Sequence, residues 1–285
     1  MEVVQIIVNG LLMGGVYILL AQGLNLIWGV VNIVNFAHGE FLTIGAYATY
    51  WLFVLSNLGY IPSLLLGLPF YIVIFSCIYW FILKPLEKSE GSLLAIFFST
   101  YGLSLVIPNT IRVLWSGTYR HVQGLFGSIV VSNVVIPGSR LVACVAALLI
   151  TCILYLFLTK TDTGKAVRAV TEDKEAAMLM GINPSRINLL VFVAGSVFAA
   201  FGGGLLAIFI AVYPYMGGVF TLVCFAIVTM GGLGNFPMVC LSGFVAGLIE
   251  SFASSFFGMQ WRPLMVFVII VAAVVFRFTI LGVQE

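Results

Sequence analysis

Between Lys160 and Arg186 the chain gathers nine of its 22 charged residues, and their order suits a docking element better than a catalytic site. Glu172, Asp173 and Glu175 come early, where the positive end of a helix dipole favours carboxylates, and Thr171 stands before them as an N-cap. Gly181 suits a left-handed C-cap, and Asn183-Pro184 suits the cap and first turn of a further helix. Between them runs Ala176-Ala177-Met178-Leu179-Met180, small and flexible apolar side chains of the kind that fit a partner's groove. A solvated loop helix without a partner fits the same residues, so both readings stand at this point.

A second set of polar residues interrupts the apolar runs: Asn25, Asn32, Asn35, His38 and Glu40 near the start, and Glu250 far downstream. A charged carboxylate at the bilayer centre costs roughly 2.5–3.5 kcal/mol, so such groups face protein or a water-filled path. Residues 25–40 either line a translocation path or play a structural part. In the structural reading, which is preferred for Glu40, Glu40 and His38 sit near the cytoplasmic interface and hydrogen-bond to loop backbone. Helix capping and interhelical hydrogen bonds are expected of the asparagines. Glu250, in the middle of its run, either pairs with an arginine or asparagine of a neighbouring subunit or lines the path. Arg262, before Pro263, belongs in a loop, and Arg277 is close enough to the chain end to snorkel outward.

These residues do not assemble a hydrolytic or metal site. His38 has no second His or Cys nearby, and the other histidine is His121. The five cysteines (Cys77, Cys144, Cys152, Cys224, Cys240) all lie in apolar runs without a C-x-x-C pair and read as small buried hydrophobes. No Gly-x4-Gly-Lys-Ser/Thr loop cradles nucleotide phosphates: Lys165 follows Gly164, but Thr159 occupies the position the first glycine requires. A net charge of +2 with no basic, aromatic-interleaved cluster argues against nucleic acid.

The elements that hold these residues follow from solvent. The chain is 62% hydrophobic and 8% charged, against roughly 25% charged in soluble domains. Val3 to Gly39, Phe41 to Leu83, Leu141 to Thr159 and Ile187 to Ile249 contain no Asp, Glu, Lys or Arg. A span needs about 20 predominantly apolar residues, and continuous runs without dyad alternation exclude a membrane barrel. The fold class is therefore all-α, polytopic, with eight or nine spans near 5–27, 39–57, 62–83, 92–114, 139–159, 187–210, 217–234, 238–257 and 263–281. Lacking a basic n-region, the first span is expected to be retained. Gly10-x-x-x-Gly14, Gly243-x-x-x-Gly247 and Gly202-Gly203-Gly204 let helix backbones approach closely. Asn35-Phe36 and Asn235-Phe236 each precede an apolar run, which does not establish a repeat.

The basic residues give the orientation. Lys160, Lys165, Arg168, Lys174 and Arg186, with Lys84 and Lys88 two spans earlier, outweigh Arg112, Arg120 and Arg140 around the opposing loop. Segment 160–186 is thus cytoplasmic and loop 115–138 periplasmic, both within one transmembrane permease domain, 1–285. In that loop, Val130 to Pro137 can form a short strand or hairpin, either as a packed lid or as a docking surface for an external partner. Counting each run once puts the N-terminus outside, whereas a re-entrant 28–40 segment reverses it.

Gly164-x-Ala166-x-Arg168-Ala169, followed by Glu175-Ala176-Ala177-x3-Gly181-Ile182-Asn183, resembles the coupling-loop motif of ABC importer permeases. Gly23-Leu24-Asn25-Leu26-Ile27-Trp28-Gly29, Asn35-Phe36-Ala37-His38-Gly39-Glu40-Phe41, Lys84-Pro85-Leu86 and Gly231-Gly232-Leu233-Gly234-Asn235 resemble the branched-chain amino acid permeases, the smaller of the two subunits. The resemblance implies a multi-pass protein of the bacterial inner membrane that forms half of a translocation path. It implies a homologous second permease, two cytoplasmic ATPases that bind the ATP and Mg, and a periplasmic solute-binding protein. This chain would hold no cofactor and catalyse nothing. The ATPase-coupling residues implied are Gly164, Arg168, Ala169, Asp173, Glu175, Ala176, Ala177, Met178 and Gly181.

Few ionic groups along the spans suit neutral or zwitterionic solutes with apolar side chains. Leucine, isoleucine or valine is what the resemblance adds, although the family also handles amides, urea and aromatic acids. A secondary transporter acting alone is the competing reading, and the sparse intramembrane acids count against it. A membrane enzyme would need a clustered His/Asp/Glu or Ser/His set, which is not apparent.

Overall fold

The computed structural model describes residues 2–56, 58–87, 91–122, 126–131 and 134–258, with 261 and 268. α1 covers Glu2–Val31, α2 His38–Ser56 and α3 Tyr60–Ile78, which continues through a π-turn at Tyr79–Leu83 into α4, Lys84–Leu86. α5 is Ser92–Trp115. β1 (Ser128–Val131) and β2 (Val134–Pro137) pair antiparallel with Val131 opposite Val134, so the expected hairpin forms. α6 (Gly138–Lys160), α7 (Asp162–Glu172) and α8 (Lys174–Leu179) lead to α9 (Pro184–Leu206), α10 (Gly217–Gly231) and α11 (Phe236–Phe257).

Among the described residues, six helices are long and apolar enough to cross a membrane: α1, α3 with its extension to Leu86, α5, α6, α9 and α11. Two of the expected spans fall outside that set. α2 carries His38, Glu40, Thr43, Tyr47 and Thr49, which lower its hydropathy, and α10 has only 15 residues because Gly232, at φ 84°, ends it. The expected 187–210 span starts earlier, at Pro184, and stops at Leu206. Span 263–281, with Arg262 and Arg277, lies outside the described residues.

Burial sorts the helices. α1 and α9 have 61% and 67% of their apolar windows buried, whereas α3, α5 and α6 have 22–28%, so the first two are the centre and the others the rim. On the rim, Phe70, Trp80, Phe98, Leu105, Leu149 and Ile153 point outward, as lipid-facing side chains do. Cys77 and Cys152 lie on this rim too, and only Cys144 and Cys224 are buried, because an apolar thiol gains little by leaving lipid.

Close backbone packing replaces the hydrophobic drive that lipid removes. Gly10 and Gly14 of α1 meet the backbone of α11 around Gly243 and Gly247, and Gly202, Gly203 and Gly204 set α9 against Leu20, Leu42 and Leu64.

The chain path defines two faces. Gln5 near the start of α1 exchanges hydrogen bonds with Val135 of β2, at 2.7 and 2.8 Å, so the N-terminus shares the hairpin face. The other end of α1 reaches α7 on the opposite face, which carries the segment expected to couple and is termed the coupling face. Residues 32–37 then climb back without helix, and α2 begins mid-bundle, where His38 Nε2 donates to Leu20 O at 3.0 Å. Residues 32–37 are thus a break that runs on into α2 and not a re-entrant loop, and the N-terminus lies on the hairpin face. α10 also begins mid-bundle, with the backbones of Gly39 and Gly217 in contact.

Candidate functional site

The segment expected to couple is two helices, α7 and α8, that meet at Asp173. Thr161 Oγ1 accepts from Gly164 N at 3.0 Å and caps α7. Gly164 lies so close to the carbonyls of Phe157 and Leu158 that any side chain would collide with them. Arg168 donates from its guanidinium to Leu158 O, and this ties α7 to the end of α6. Lys165 Nζ meets Asp162 Oδ1 at 2.9 Å, and this hydrogen bond and ion pair hold the exposed Asp162 carboxyl below its ordinary value.

Asp173, not Thr171, caps the second helix. Asp173 is extended, at φ −151° and ψ 108°, and its Oδ1 accepts from Glu175 N and Ala176 N at 2.9 and 3.0 Å. The Thr171 hydroxyl donates to Val167 O, one turn back, at 2.9 Å, which keeps Thr171 inside α7. Gly181, at φ 83°, ends α8 in a Schellman pattern: Gly181 N donates to Met178 O and Ile182 N to Ala177 O, both at 3.0 Å. Asn183 Oδ1 then accepts from Ser185 N at 3.1 Å and opens α9 on Pro184.

The helix so pinned has two sides. Ala177 faces inward, 3% exposed, into a cluster with Val167 and Val170 of α7, Ile187 and Val191 of α9, Leu26 of α1 and Leu154 of α6. Met178, Leu179 and Met180 are 50%, 88% and 81% exposed, in a segment otherwise rich in charge. Glu175 and Ala176 are exposed beside them, and Ala169 is half-buried on α7. Ala177 is therefore an anchor within this chain, and the face presented outward is 175–176 with 178–180.

Asn25, Asn35, His38 and Glu40 converge on the bundle interior, whereas Asn32 is exposed just beyond the end of α1, at φ 56°. Asn25 Oδ1 accepts from Gly234 N at 2.9 Å and its Nδ2 donates to Gln22 Oε1 at 3.2 Å, joining α1 to the turn before α11. Asn35 Oδ1 accepts from Ala37 N at 3.1 Å at the start of α2. His38 and Glu40 are 1% and 4% exposed, and Glu40 stands against Gly217. They do not sit beside loop backbone at the edge of the bundle: His38 reaches the helix backbone of Leu20 mid-bundle, because α2 starts there. Asn35 Nδ2, His38 Nδ1, Glu40 Oε2 and Ser196 Oγ have no hydrogen-bond partner among the described residues. Glu250 accepts a hydrogen bond from Tyr17, linking α11 to α1 within this one subunit. Among the described residues no group of three His, Cys, Asp or Glu is placed to hold a metal ion.

Two cavities flank the α1–α11 crossing. One of about 620 Å³ opens on the coupling face, walled by Gln22 and Asn25 of α1, Arg168 and Glu172 of α7 and Phe236 of α11. The other, of about 840 Å³, opens on the hairpin face between α1, α11 and the start of α6.

The model of the branched-chain amino acid transport system permease component matches residues 6–274. The chain belongs to that family. It is similar to the high-affinity branched-chain amino acid transport system permease protein BraD of Pseudomonas aeruginosa, 29% identical over 99% of this chain and 96% of the relative. The Escherichia coli protein LivH of the same description is 30% identical over 92% of this chain and 90% of its own. LivM of Escherichia coli, also described as a permease of that system, is 26% identical over 77% of this chain and 57% of its own. No solved structure matches.

In this permease, several residues that build the site carry no sequence motif. Gln22 donates to Phe236 O at 2.8 Å, and Tyr17 holds Glu250. Glu87 joins Tyr79 (2.7 Å) to Asn188 (3.2 Å) and so fastens the α4 end to α9. Arg120 pairs its backbone with Val212 at 2.8 and 2.9 Å and lays its guanidinium 4.8 Å from the Trp51 ring centre, stapling the loop before the hairpin to the turn after α9. A lone polar residue in a long uncharged run, as Gln22 is, was the available signal.

Proposed function

We propose that this chain is one of two permease subunits of an ATP-driven importer in the bacterial inner membrane, carrying branched-chain amino acids or similar amphipathic solutes. It supplies half of the path, with nine crossings once α2, α10 and the 263–281 run are counted with the six strong spans. Two differently named Escherichia coli permeases of one system both resemble this chain, which supports a second, homologous permease beside it. The ATP and Mg are bound by two cytoplasmic ATPase subunits, and a periplasmic binding protein delivers the solute to the hairpin face.

The observation that carries this reading is the exposed Met178-Leu179-Met180 face on a helix fixed at both ends. Three large apolar side chains held out beside charged neighbours are stable when a partner's groove receives them. The ATPase is that partner. Its movement reaches the membrane by three links: Ala177 into α9 and α1, Arg168 into α6, and the Asn183 cap into the first turn of α9. ATP-driven closure of the ATPases then tilts these spans so that the hairpin-face and coupling-face cavities open alternately. The unpartnered polar atoms of Asn35, His38, Glu40 and Ser196, where α2 and α10 begin, support a hydrated stretch of the path.

The test is a photoreactive benzophenone side chain at Leu179 in cells that express the whole system. Illumination gives a covalent product with the ATPase subunit. A product confined to lipid or to the permease itself overturns the reading.

A further inference from the structure

We propose that the hairpin-face cavity is a zwitterion-binding subsite, in which Arg140 takes the carboxylate of an amino acid and Glu250 its ammonium group. The inference rests on the reading of this chain as an amino acid permease and names where and how the solute is held.

The cavity of about 840 Å³ is within the roughly 300–1,000 Å³ usual for small-molecule sites. It brings both signs of charge together: Arg140 at the start of α6, Glu250 on α11 and, at its outer rim, Glu2 at the start of α1. Arg140 and Glu250 are set in place by neighbours. Arg140 donates to Asn9 Oδ1 at 3.2 Å and lies 5.7 Å from the Phe209 ring centre, and Glu250 accepts from the Tyr17 hydroxyl. A guanidinium presents a planar fork that matches a carboxylate, and a carboxylate accepts the N–H bonds of an ammonium. Ile6, Met13 and Phe209 supply apolar wall for an aliphatic side chain.

A molecule bearing only one of the two charges satisfies half of this arrangement. A leucine-like zwitterion satisfies all of it. Towards the coupling face the cavity ends at the tight α1–α11 crossing of Gly10 and Gly14 with Gly243 and Gly247. The subsite therefore lies on the hairpin side of a constriction and is the first place within the chain where a delivered solute is gripped.

The experiment uses the assembled importer in proteoliposomes, with Ser254→Cys as the reporter at the cavity wall and the native cysteines replaced by serine or alanine. A membrane-impermeant thiosulfonate labels the reporter from the hairpin face, and leucine uptake is followed in parallel. Leucine is expected to slow labelling about tenfold, the equivalent of about 1.4 kcal/mol of binding preference. Isocaproate, without the ammonium, and isopentylamine, without the carboxylate, leave the rate unchanged. Glu250→Gln keeps an acceptor for Tyr17 yet abolishes protection by leucine. Arg140→Gln does the same, and Arg140→Lys restores part of it. Equal protection by all three compounds overturns the charge assignment. Leucine uptake without any protection overturns the subsite and leaves the permease reading standing. A reporter importer that takes up no branched-chain amino acid, when the parent does not either, overturns the permease reading itself.

Discussion

The amide of Ile182 donates to the carbonyl of Ala177 at 3.0 Å and closes the exposed helix α8 onto the turn that opens α9. This bond makes α8 part of the membrane bundle instead of a tethered ornament. It exists because Gly181 takes φ 83°, a conformation that costs L-residues about 1–2 kcal/mol.

Gly181→Ala meets nothing within reach of its new Cβ, so its cost is backbone strain alone. Hydrogen exchange over 174–182 should quicken about tenfold, the equivalent of about 1.4 kcal/mol. The spans themselves should keep their protection. Unchanged exchange in 174–182 would remove Gly181 from the role given to it.

Asp173→Ala removes the acceptor for Glu175 N and Ala176 N and should cost the short helix about 1 kcal/mol. Asp173→Asn keeps an acceptor and should lose far less. The readout is ATPase recovered with the permease from mild detergent, and Thr171→Ala should recover the wild-type amount because Thr171 caps nothing.

Gly39→Ala drives a methyl group into the backbone of Gly217 and the Thr221 hydroxyl, an overpacking that costs roughly 1–3 kcal/mol. Gly218→Ala, with open space at its Cβ, is the matched control. The melting temperature in detergent should fall for the first variant and stay within about a degree for the second.

Tyr17→Phe deprives the Glu250 carboxylate of one hydrogen bond in the interior and should destabilise the protein by about 1–3 kcal/mol. Glu250→Gln, whose amide oxygen still accepts from Tyr17, should cost less. Equal losses in thermal denaturation would mean that the bond contributes little.

Much of this architecture could be read from residue types. Long uncharged runs announce helices in lipid, and Gly10, Gly14, Gly243 and Gly247 announce a close crossing that the structure contains between α1 and α11. The cap at Asn183 and the left-handed Gly181 were equally legible, since each depends only on neighbours in sequence. Thr171 misled because a threonine hydroxyl satisfied by its own helix is indistinguishable in sequence from one capping the next. The depth of His38 and Glu40 was hidden for a different reason. Where a helix begins within a bundle depends on how far residues 32–37 climb, and that is set by packing against α1 and against α9, the latter far away in sequence. Likewise nothing near Tyr17 foretells Glu250, 233 residues on.

The measurement closest to the central claim is leucine uptake by the importer carrying Leu179→Asp and Met180→Asp. Both side chains are more than four-fifths exposed in the isolated permease, so the variant should insert and melt like the parent. The account expects uptake and leucine-stimulated ATP hydrolysis to fall at least about tenfold, as loss of about 1.4 kcal/mol or more of docking energy requires. Uptake at the parent rate by the doubly substituted protein would contradict it.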